Sequence, residues 1–87
     1  MDKTIYSRQS QCLCNLLVEL WRAAGLTQRE LAAKLNRERN LIGRLEVGER
    51  RLDVVEFYWI CQATGVKADV VAGKLMRELE EVQSTRR

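Results

Sequence analysis

The four residues Thr27-Gln28-Arg29-Glu30 constrain the fold more than any other part of the 87-residue sequence. A threonine followed three positions later by a glutamate is the pattern of a capping box. Each side chain accepts a hydrogen bond from a backbone amide that the start of a helix leaves without a partner. Leu26 before the cap and Leu31 after it supply the apolar pair that staples a helix start. Leu31, Ala32 and Leu35 then recur at helical spacing, and Asn36, a residue that tolerates the left-handed conformation, ends the run. A third helix is predicted over about 38–47, closed by Gly48. Only about three residues separate the two, which predicts a helix–tight turn–helix unit over about 27–48.

The remaining helices are placed the same way. Leu13, Leu16, Leu17, Leu20 and Ala24 form one apolar stripe, so the first helix is predicted over about 7–24, with Gly25 after it. Asp53-Val54-Val55-Glu56 resembles a second capping box, with Leu52 and Phe57 as its staple. The fourth helix continues through Phe57, Ile60, Cys61 and Thr64 and stops at Gly65. The fifth spans about 67–83, with an apolar seam of Val71, Leu75, Leu79 and Val82. The expected fold class is therefore all-α, five helices in a single domain over 1–87. The first six residues and the run Ser84-Thr85-Arg86-Arg87 read as tails.

Composition narrows the function. At 46% hydrophobic and 31% charged residues the chain is globular rather than disordered. No apolar run approaches the roughly 20 residues that span a bilayer, and the start MDKTIYSRQS lacks the apolar stretch of a secretory signal. A cytoplasmic protein without membrane partners is expected. There is no histidine, and the three cysteines, Cys12, Cys14 and Cys61, fall short of a closed zinc site. Cys61 sits in an apolar helical pattern and reads as core. With no paired-carboxylate arrangement and no phosphate loop either, no catalytic residues, metal, cofactor or small-molecule ligand are expected.

Positive charge is concentrated. Residues 37–51 hold five arginines against three glutamates, and the sequence after them is slightly acidic. On a wheel at 100° per residue, Ile42 and Leu45 of the third helix share the inward face. Asn40, Gly43, Arg44 and Val47 point the other way, with Arg39 and Arg37 on the flanks. Arginine can bond both major-groove acceptors of guanine, and asparagine can pair with adenine. Glu49-Arg50-Arg51 follows directly, where groove-flanking phosphates would run. Glycine in a helix interior costs roughly 0.5–1 kcal/mol relative to alanine. On the outward face Gly43 reads as a close-approach position, letting the backbone near the groove.

Residues 25–66, GLTQRELAAKLNRERNLIGRLEVGERRLDVVEFYWICQATGV, resemble the phage repressor and Cro-like helix-turn-helix family. The shared pattern is a G-L-T-Q-x-E-L-A segment, a turn, a short helix ending I/L-E-x-G, and a fourth helix ending A-x-x-G-V. The resemblance implies a compact five-helix, lambda repressor-like domain that binds double-stranded DNA, commonly as a homodimer. It implies base contacts from Arg39, Asn40 and Arg44, with Leu41 reaching a thymine methyl or only packing. It implies phosphate contacts from Gln28, which would also brace the reading helix, and from Arg50 and Arg51, with Arg37 as an addition. Val71, Leu75, Leu79 and Val82 are candidates either for a dimer seam or for a cap on the core; Tyr58 and Trp59 could join either.

The sequence departs from the pattern at several points. Asn36 stands where glycine is usual, and Glu38 where a capping Ser or Thr is common. Trp21 stands where many members have an arginine that pairs with the residue matching Glu46, so the partner of Glu46 is open between Arg22 and Arg51. The expected function is a sequence-specific transcriptional regulator, a repressor acting by operator occupancy. The alternative is an antitoxin-like or adaptor protein for which DNA binding is secondary.

Overall fold

The computed structural model describes residues 2–84. They form five helices and, among the described residues, no strand: α1 (Lys3–Ala23), α2 (Gln28–Leu35), α3 (Arg39–Glu46), α4 (Val54–Thr64) and α5 (Ala68–Ser84). Helix α1 starts four residues before its predicted position. Asp2 is its N-cap, and its carboxylate accepts the Ile5 amide at 2.8 Å. Residues 3–6 are therefore helical rather than tail. Of the expected carboxy-terminal tail, Ser84 is the last residue of α5, and Thr85, Arg86 and Arg87 lie outside the described residues.

Both capping boxes form. The Thr27 hydroxyl accepts the Glu30 amide at 3.1 Å, and Glu30 accepts the Thr27 amide at 2.9 Å. Asp53 and Glu56 make the same reciprocal pair at 2.7 and 3.1 Å. Asn36 adopts the left-handed conformation (φ 54°, ψ 45°), the one residue other than glycine with positive φ among those described. That conformation turns the chain within Asn36-Arg37-Glu38 and brings α3 across α2. Glu38 is the N-cap of α3, but its side chain makes no cap bond.

Helix α1 packs on α3, α4 and α5, while α2 packs on α3 and α4. Trp21, Leu17, Leu31, Ile42, Leu45, Ile60 and Cys61 are the largest fully buried side chains, so every helix from α1 to α4 contributes to one core. Cys61 is core, as its apolar surroundings in the sequence suggest. Cys14 is also buried, and Cys12 is half-buried with its Sγ donating to Glu78 Oε2 at 3.7 Å. Burial pushes all three thiols above their ordinary pKa, which disfavours thiolate chemistry.

Of the two readings of the α5 seam, the burial within the chain matches the cap on the core. Val71 and Leu75 are buried in the chain's own core, Leu79 packs against it, and Val82 is half-buried. The seam packs on α1 and α4. Exposed apolar side chains gather on α4 instead, where Val54, Val55, Tyr58 and Trp59 reach solvent and the two aromatic rings meet edge to face at 5.2 Å.

Candidate nucleic-acid interface

Helix α3 is held from its inner side by Ile42 and Leu45, both at most 2% exposed, with Leu41 half-buried and packed on the core. That anchoring fixes what faces outward. Asn40 and Arg44 are exposed on the opposite side and Arg39 is exposed on its flank, and Val47 is 67% exposed at the end of the helix. Asn36, Arg37, Glu38, Asn40, Leu41 and Arg44 line one shallow hollow along this face. Arg51 is exposed in the loop after α3. The candidate base-reading side chains thus stand together on one surface. Leu41 packs on the core and also lines the hollow beside Asn40 and Arg44.

The partner of Glu46 is neither of the two arginines expected for it, but Gln28, the residue expected to brace α3. Glu46 accepts a hydrogen bond from Gln28 Nε2 at 2.9 Å, and no ion pair joins it to Arg22 or Arg51 among the described residues. Trp21, in the place of the family's arginine, is 2% exposed and fills the core. The chain therefore gives that position to apolar burial, and Gln28 supplies the partner for the carboxylate. Gln28 is half-buried, and its amide is committed across the α2–α3 contact.

The same geometry revises Gly43. It is half-buried, and a Cβ built there would meet Gln28 Oε1 at 3.6 Å, an ordinary contact distance. Its bare side thus lies under the Gln28 side chain on its way to Glu46, rather than facing open groove. Gly43→Ala should stabilise the fold by roughly 0.5–1 kcal/mol, since alanine fits and removes the helix cost of glycine. Gly43→Leu should push Gln28 aside and cost stability. Urea unfolding of the two variants measures both signs; two stabilised variants would contradict the contact.

The loop after α3 carries a cluster that local sequence patterns do not reveal. Arg50 donates from Nη1 and Nη2 to the two carboxylate oxygens of Glu56, at 2.9 and 2.7 Å. Arg37 Nη2 lies 3.7 Å from Glu56 Oε2. Arg50 and Arg37, both expected on phosphates, are thus paired with one acid in the free chain. The Arg50 hydrogen bonds hold the Glu56 carboxyl below its ordinary pKa, with Arg37 adding to the effect. A lowered folded-state pKa contributes stability above the ordinary carboxylate value, which is lost as pH falls through the folded value. The stability advantage of the wild type over Glu56→Gln should therefore hold near neutral pH and shrink below about pH 4. Thermal unfolding of both proteins across that range checks it.

Among the solved structures similar to this chain is an XRE-family like protein from Pseudomonas syringae pv. tomato str. DC3000, with 42% sequence identity and a TM-score of 0.81. The match covers 87% of this chain and 93% of that one. The chain belongs to the XRE family. Membership accounts for the α2–turn–α3 unit and agrees with the related Cro and repressor resemblance. No family model matches the chain, and no curated protein does. Among the described residues of this XRE-family chain, no helix is long and apolar enough to cross a membrane.

Proposed function

We propose that this XRE-family chain is a sequence-specific DNA-binding transcription regulator, a repressor that acts by occupying its operator. The observation that carries the reading is the outward face of α3, where Arg39, Asn40 and Arg44 stand exposed on a helix anchored by Ile42 and Leu45. Laid in the major groove, that face offers donors for guanine and a bidentate partner for adenine. Arg51 sits beside it for the phosphate backbone. Occupancy of an operator needs no further chemistry, and the reading assigns no catalytic group.

A salt titration tests it. Binding to duplex DNA should weaken steeply with salt, by roughly 0.9 log units per log unit of salt for each phosphate neutralised. Absence of duplex binding at low salt, or binding indifferent to salt, would overturn the reading.

The exposed aromatic and valine face of α4 favours a second property, association with a protein. Patches of this kind mark interaction surfaces. In the repressor reading the occupant is a second copy, giving a homodimer on two half-sites about one helical turn apart. In the antitoxin-like or adaptor reading it is an unlike protein. Light scattering with and without DNA separates them: a dimer supports the first, and a monomer in both conditions removes the homodimer.

A further inference from the structure

We infer that Glu56 is an internal competitor for DNA phosphate, holding down the chain's affinity for all duplex DNA by keeping two arginines beside α3 neutralised. The inference rests on the DNA-binding reading. Glu56 occupies the third position of α4, and its side chain is only 16% exposed. From there its carboxylate reaches both ends of α3: Arg37 lies in the turn before that helix, and Arg50 in the loop after it.

The contact with Arg50 has the chemistry of a phosphate contact. Two parallel N–H groups of a planar guanidinium meet two anionic oxygens, at 2.9 and 2.7 Å. A DNA phosphate approaching Arg50 must displace that carboxylate or meet a guanidinium whose charge is already offset. Arg37 is held less closely, at 3.7 Å, with nearly half its side chain exposed, and feels the same acid. Arg39, Arg44 and Arg51, by contrast, make no ion pair within the described residues. Of the five arginines in residues 37–51, three are available to DNA without competition and two are not.

The consequence is specific. Phosphate contacts strengthen binding to every sequence, whereas base contacts discriminate. Releasing Arg37 and Arg50 should therefore raise affinity for selected and random duplexes together. Each released guanidinium that takes a phosphate should steepen the dependence of log affinity on log salt by about 0.9.

Glu56→Gln isolates the charge, because glutamine also completes a capping box. The expected result is tighter binding to both duplexes at low salt, with an unchanged ratio between them. Across a fourfold rise in salt the variant should lose about 3- to 12-fold more affinity than the wild type, for one to two added phosphate contacts. Affinity and slope equal to wild type in a variant that is helical by circular dichroism would overturn the inference. Should that variant not fold, Arg50→Gln/Glu56→Gln removes the pair together. A slope matching or steeper than wild type then supports the inference. One flatter by about 0.9 means that Arg50 already held a phosphate, and overturns it. A wild-type chain that binds no duplex at low salt overturns the DNA-binding reading and this inference with it, an outcome distinct from equal slopes.

Discussion

Trp21→Ala should cost about 3–5 kcal/mol of folding stability, the range for removing a large aromatic from a packed core. Trp21 is 2% exposed and lies in the cluster that holds Ile42 and Leu45, the anchors of α3. Stabilities of about 0.05–0.15 kcal/mol per residue put an 87-residue chain at roughly 4–13 kcal/mol. One substitution thus removes a large share of the total. Because the inner face of α3 is anchored in this core, DNA binding should fall with the folded fraction. Urea unfolding measures the first effect. A loss under about 1 kcal/mol would mean that the core closes around the gap, and that Trp21 does not replace the family's arginine as an anchor.

Arg44→Ala and Asn40→Ala should each cost about 1–3 kcal/mol on the preferred DNA site, roughly 5- to 150-fold in affinity, with little change on random duplex. Both side chains are exposed on the outer face of α3, so the folded stability of either variant should stay near wild type. Surface substitutions of this kind usually shift stability by no more than about 0.5 kcal/mol. Arg51→Ala gives the contrast. A phosphate contact weakens selected and random duplexes alike and lowers the salt slope by about 1. Equal losses on both duplexes for Arg44→Ala would assign it to the backbone instead of the bases.

The parts of the fold that could be read from sequence are those in which a side chain bonds its own neighbourhood. Thr27 with Glu30, and Asp53 with Glu56, are three residues apart, and the caps they predict form as expected. Asn36 was legible as a left-handed turn because few residues tolerate that conformation. The start of α1 is not marked by the apolar stripe, which begins at Leu13; the Asp2 cap sets it instead.

Contacts between elements were legible only in outline. The spacing of Val71, Leu75 and Leu79 predicts an apolar face, but periodicity does not say what covers it, and here the chain's own core does. The wheel gives the angle of Gly43 but not its neighbour, Gln28, which comes from another helix. The partners of Glu46 and Arg50 depend on how α2, α3 and α4 approach one another, across 18 and 6 positions. The exposed outer face of α3 was legible because it follows from the helix period and the inward anchoring of Ile42 and Leu45.

The central claim is that the outward face of α3 reads DNA sequence. Selection of bound duplexes from a random pool, followed by sequencing, tests it most directly, run in parallel for the wild type and Arg44→Ala. The account predicts that the wild type enriches one motif and that Arg44→Ala relaxes it at particular base positions. A wild-type pool without an enriched motif, or an Arg44→Ala pool enriched for the same motif to the same degree, would contradict it.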